Sequence, residues 1–274
     1  MRTRFVGLIG LAASLLLTAL NALGEAAQAS AQAPAYRAPR TKDGKPNLNG
    51  IWQAVNEANW DLEGHGAAPG PLWQLGAEFA VAPGLGIVEG GPIPYKPEAL
   101  QKKKANFANR ASLDPEVKCY LPGVPRAMYM PYPFQVLQST DNILMAFEYA
   151  GALRTIYMKK QEAPADSWMG WSNGHWEGET LVIDTDSFND LSWFDRAGNF
   201  HSDTLHVVER ITALGPDHLN YEATIEDPKV FTRPWKISMP LYRRLEKNAQ
   251  ILEFKCVEFA EDVIYGHLRK VPLK

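Results

Sequence analysis

Several things are scarce in this chain, and each scarcity excludes something. It has only two cysteines, Cys119 and Cys256, with no CxxC and no HExxH spacing. That excludes a cysteine-dense scaffold and the short-spaced zinc motifs. Glycine patterns of the dinucleotide and phosphate-loop type are missing, and no nucleophilic serine is expected. Basic runs are limited to Lys102-Lys103-Lys104 in a chain of formal net charge −3, so nucleic acid is not an expected partner. The longest apolar run, residues 5–20, is shorter than the ~20 residues a membrane span needs. Helix-type periodicity is also rare; the clear case is "KPEALQKKKANFANRA" from Lys96, where Pro97 and Glu98 suit a first turn.

What is present begins with an export-type leader. Arg2 and Arg4 precede the apolar run, and small-residue exits follow at residues 27–33. This order predicts a signal peptide over 1–31, a mature start between Ser30 and Pro34, a periplasmic or secreted protein, and no membrane insertion once the leader is removed. A polar leader over 32–47 then enters a single domain over 48–274, with a glycine- and proline-rich ornament over 61–115. The remaining ~240 residues suffice for one β-rich domain. In an oxidising compartment Cys119 and Cys256 either bridge or stay as two buried thiols; spacing does not choose between them.

From residue 134 the chain changes character. "FQVLQST", "ILMAFEYA" and "LRTIYMKK" read as strands separated by turns, followed by "GHWEGETLVIDT" with a glycine turn inside it. Four further strand-type runs lie at 204–214, 218–227, 231–245 and 250–259. Leu219, Tyr221, Ala223 and Ile225 alternate with polar residues, the period of a half-buried strand. Eight to ten strands without β-α-β alternation predict a mainly β fold, an antiparallel barrel of lipocalin-like class with one or two short helices. Such a barrel can hold one small apolar ligand in its mouth. Gly50-Ile51-Trp52 resembles the G-x-W that opens the first lipocalin strand, although Gly174-His175-Trp176 repeats the triplet elsewhere.

"GHWEGETLVIDTDSFND", "HSDTLHVVER" and "YEATIEDPKVFTRPW", in that order, resemble a widespread family of uncharacterised exported bacterial proteins. "CYLPGVPR" and "LRTIY" fit the same pattern. The resemblance implies export and a β-rich fold, and implies no chemistry.

The candidate chemistry lies in "WFDRAGNFHSD", residues 193–203, inside a long connection between strands. Functional groups concentrate on such loops. Asp195 beside His201 would make an acid–base unit, with Trp193 and Trp168 as pocket walls and Arg154 as an electrostatic stabiliser. The competing reading is structural: Asp195 pairs with Arg196 or Arg154, and His201 bonds a backbone carbonyl. Tyr129, His206 and Arg210 complete the expected substrate contacts. His206 and Arg210 share one strand face, outside in water or inside a polar lumen, and Glu209 shares the other with Leu205, Val207 and Ile211. His175, His201 and His206 come from separate elements, so no metal is expected. "DTDSFND" lacks the calcium-loop glycine and a third oxygen ligand.

The leading expectation is an exported, cofactor-independent lyase, isomerase, hydratase or hydrolase acting on a small apolar or aromatic molecule. The alternatives are a non-catalytic carrier of such a ligand and an interaction protein that docks through the glycine- and proline-rich segment.

Overall fold

The computed structural model of the chain describes residues 36–70 and 72–268. The signal peptide expected over 1–31 lies outside the described residues. Ten strands are found among them: β1 (Gly50–Gln53), β2 (Val88–Glu89), β3 (Phe134–Gln138), β4 (Asn142–Phe147), β5 (Leu153–Tyr157), β6 (Trp171–Glu177), β7 (Thr180–Asp186), β8 (His206–Gly215), β9 (His218–Glu226) and β10 (Trp235–Arg243). Nine of these, all but β2, follow one another around a closed barrel. Closure comes from β10 pairing back onto β1, with Trp52 opposite Arg243. The two residues of β2 extend the same edge of β10, with Val88 opposite Ile237.

The period-2 pattern of the sequence is realised directly. Leu219, Tyr221, Ala223 and Ile225 of β9 point inward with Val207, Ile211 and Ala213 of β8 and Ile237, Met239 and Leu241 of β10. Each large apolar side chain taken out of water contributes roughly 1.5–3 kcal/mol. The middle of the lumen is therefore a packed core, and at one end of the barrel a concavity of about 200 Å³ is bounded by Trp52, Ala213, Leu219 and Arg243. Gly50 has to be glycine. Its φ is +151°, and a Cβ there would lie 2.1 Å from the Arg243 guanidinium. That guanidinium sits over the Trp52 ring at 4.1 Å and bonds the Asn49 carbonyl at 2.9 Å.

Three expectations are corrected. The barrel is mixed, because β5 and β6 run parallel, with Ile156 opposite Ser172; the 158–170 connection returns the chain to the starting end. The run 250–259 forms no strand. One edge of β10 is taken by β9 and the other by β1 and β2, so no ladder is open to it. Residues 36–47 of the expected leader pack on the barrel: Ala38 is buried, and the Gln138 amide donates to the Pro46 carbonyl.

The ornament folds against the barrel and buries Leu62 and Leu72. It carries helix α1 (Pro97–Ala108), with Pro97 and Glu98 in its first turn, and the short α2 (Arg110–Leu113). The C-terminal segment ends in α3 (Ala260–Tyr265). A disulfide between Cys119 and Cys256, Cα atoms 5.7 Å apart, staples this segment to the residues after α2. The sequence had left the bridge and two thiols equally open.

Candidate functional site

Residues 192–201 are all buried. Trp193 faces Phe200 across a tight turn, and the Phe194 amide donates to the Asn199 carbonyl at 2.7 Å. Gly198, φ +84°, lets the turn press on α1, where a Cβ would meet the Phe107 nitrogen at 2.7 Å. Asp195 holds the turn together. Its carboxylate accepts from the Asn199 amide at 3.1 Å, the Asn199 side chain at 2.6 Å and the Leu62 amide at 2.9 Å. Burial, with the nearby charge of Asp61, pushes the Asp195 carboxyl up to about 7, against those hydrogen bonds.

His201 points elsewhere. Its Nδ1 faces the Ser202 carbonyl at 2.9 Å, so that nitrogen carries the proton, and Nε2 accepts from the Ser192 hydroxyl at 2.7 Å. Its ring neighbours are Phe188 and Phe194. Burial holds the imidazole below its ordinary pKa, despite the Ser202 carbonyl and the charges of Asp227 and Asp190. The expected Asp195–His201 pair is thus corrected. In a turn this tight the two side chains leave toward different elements, and both are saturated by other partners. Trp193 is walled into the core rather than facing a substrate. Sequence reasoning missed Ser192, and no motif marked it.

Arg154 is a lumen residue. Its guanidinium donates to Ser172 at 2.9 Å, Thr185 at 2.8 Å and both oxygens of Glu209. Tyr221 donates to Glu209 at 2.8 Å. Nε, NH1 and NH2 all donate to barrel side chains, which corrects its assignment as a substrate stabiliser. Gly170-Trp171-Ser172-Asn173-Gly174 does match G-x-S-x-G, against the expectation of no such motif, but Ser172 lies inside β6 and is bound to Arg154. Tyr129 is buried and donates to the Phe194 carbonyl. His206 and Arg210 lie on the outer face: His206 between Asp184 (3.1 Å) and Glu226 (3.6 Å), Arg210 on Glu177 (2.8 Å). They share no site with His201. Trp168 is half-buried against Tyr120.

Two concave surfaces lie outside the barrel on either side of Arg196. One, of about 330 Å³, is bounded by Tyr132, Tyr149, Phe254 and the C-terminal segment. Its charges already satisfy one another: Arg196 reaches Glu261 at 2.9 Å and Glu116 at 3.6 Å, and Glu116 also accepts from the buried Arg126 at 2.7 Å. The other, of about 220 Å³, is bounded by Trp60, Asp61, His65, Phe107, Arg110 and Arg196. The Arg196 guanidinium lies 4.4 Å from the Trp60 ring centre, and that of Arg110 4.3 Å from the Phe107 ring centre. Of this group, sequence reasoning named only Arg196, as a structural partner. The residues come from three separate stretches of chain.

Among the described residues, no group of three or more His, Cys, Asp or Glu side chains is placed to hold a metal ion, and no helix is long and apolar enough to cross a membrane. No protein-family model matches the chain, and no curated protein matches it significantly.

Proposed function

We propose that this is an exported protein that binds a small aromatic molecule in the cleft between Trp60 and Phe107, outside the barrel. The observation that carries this reading is the convergence of two aromatic rings and two stacked guanidiniums on one small concavity. Ligand sites are concave, largely apolar, and carry a few well-placed polar groups. A cavity of about 150 Å³ holds benzene, so this cleft has room for one substituted ring. Export is supported by the order of charges and small residues at the N-terminus, and a disulfide suits an oxidising compartment.

A binding protein is the reading the geometry favours, because His201 and Asp195 are bound to protein groups away from the cleft surface. The enzymatic reading, cofactor-independent acid–base chemistry, keeps one observation in its favour. Asp61 lines the cleft, and its charge helps to hold a proton on Asp195 up to about pH 7. Carboxyls perturbed in this way cluster at functional sites.

The test is mass spectrometry of small molecules co-purifying with the exported protein, together with titration of neutral benzamide followed by tryptophan fluorescence. Saturable binding that disappears in Trp60→Ala and Phe107→Ala supports the cleft. No aromatic compound bound at millimolar concentration overturns it. Turnover of a bound compound, lost in Asp61→Asn while binding persists, decides for the enzyme.

A further inference from the structure

Of the two guanidiniums at this cleft, Arg110 is the one that makes no ion pair with a described residue. Arg126 is held by Asp114 and Glu116, and Arg196 by Glu261 and Glu116. No carboxylate of the described residues lies within ion-pair distance of Arg110. Its single hydrogen bond runs from NH1 to the Phe107 carbonyl, at 3.0 Å. The Arg110 guanidinium sits over the Phe107 ring, 4.3 Å from its centre, and its Nε and NH2 groups bond no described residue, leaving donors that can take a carboxylate two-pronged.

The electrostatics point the same way. Partial burial and the neighbouring positive charge of Arg196 hold the Arg110 pKa below its ordinary value, against the opposing pull of Glu261 and Asp114. An anion placed between the two cations would relieve that repulsion. Asp61 on the same wall opposes an anion; the Glu63 amide, donating at 2.9 Å, holds that carboxylate in place without cancelling its charge.

We propose that the ligand of this cleft is a small aromatic carboxylate, its ring between Trp60 and Phe107 and its carboxylate on the Arg110 fork. This rests on the cleft reading given above. The geometry separates two roles. Trp60 and Phe107 recognise the ring, whatever its charge. Arg110 distinguishes a carboxylate from a neutral isostere, since a hydrogen-bonded charge contributes on the order of 10- to 100-fold in affinity.

The experiment titrates benzoate and its neutral isostere benzamide into the mature full-length protein and into Arg110→Gln and Trp60→Ala, by calorimetry and tryptophan fluorescence. The proposal expects benzoate to bind at least tenfold more tightly than benzamide. Arg110→Gln should abolish that preference, bringing benzoate down to the affinity of benzamide in the same variant, and Trp60→Ala should weaken both. Equal binding of benzoate and benzamide, unchanged in Arg110→Gln, overturns the carboxylate assignment and leaves the aromatic cleft standing. Failure of both probes to bind overturns both. Because Arg110 is only half-buried and makes no ion pair, its substitution should leave the melting temperature within about two degrees of wild type; a larger fall with loss of both probes counts against a binding role.

Discussion

Arg154 of β5 and Glu209 of β8 meet across the barrel lumen as a two-pronged ion pair, with both side chains almost completely buried. Ser172 and Thr185 accept further bonds from Arg154 and Tyr221 donates to Glu209, so each charge is dry and held by more than its ionic partner. Removing one partner strands the other charge, which costs on the order of 3–5 kcal/mol. Glu209→Gln and Arg154→Met should each lower unfolding free energy by that amount in urea titrations. The double variant Arg154→Met with Glu209→Leu should recover most of the loss, because no lone charge then remains in the core.

Asp195 and His201 should leave opposite marks on the pH dependence of stability. The folded Asp195 carboxyl titrates at about 7, above its ordinary value near 3.8. The native state therefore binds the extra proton, and stability is fully present below about pH 4 and is lost as pH rises to 7. The total approaches about 4 kcal/mol. His201 is depressed, so its unfolded form binds the extra proton: its contribution is present above about pH 6.5 and is lost as pH falls below that. Urea titrations from pH 4 to 8 on wild type, Asp195→Asn and His201→Asn should resolve the two slopes. The aspartate variant should lack the fall between pH 4 and 7, and the histidine variant the loss on acidification.

The Cys119–Cys256 bridge closes a loop of 137 residues in sequence separation. The loop-entropy model assigns such a crosslink roughly 4–5 kcal/mol. Non-reducing peptide mapping of the protein purified without reductant should show the linked pair. Changing both cysteines to serine should lower stability by a few kcal/mol and speed protease cleavage in the segment that Phe259 anchors by donating its amide to the Val117 carbonyl.

His206 and Arg210 lie on the outer face of β8, paired with exposed carboxylates. Surface ion pairs contribute about 0–1 kcal/mol. His206→Ala and Arg210→Ala should therefore change stability by no more than that, and should leave benzamide and benzoate titrations unaltered.

Side-chain direction along a strand is a local property, and so it could be read in the sequence. The alternation from Leu219 to Ile225 identified β9 and its inner face, and Pro97 and Glu98 identified the start of α1. Glu209 fell on the correct face of β8 with Leu205, Val207 and Ile211, opposite His206 and Arg210. Periodicity alone left the meaning of those faces open, inside a polar lumen or out in water. That depends on what stands across the barrel, and there Arg154, from a strand 55 residues away, meets Glu209.

The non-local features were decided only by the tertiary structure. Barrel closure needs β10 to find β1, and the parallel β5–β6 pair needs a return path that no residue pattern encodes. Asp195 and His201 are six positions apart, yet a tight turn sends one to Leu62 and Asn199 and the other to Ser192. Proximity in sequence did not become contact, because each side chain leaves the turn toward a different element. The cleft is the converse case. Trp60, Phe107, Arg110 and Arg196 carry no shared spacing and meet only where the ornament, the helices and the 192–201 turn pack against one another.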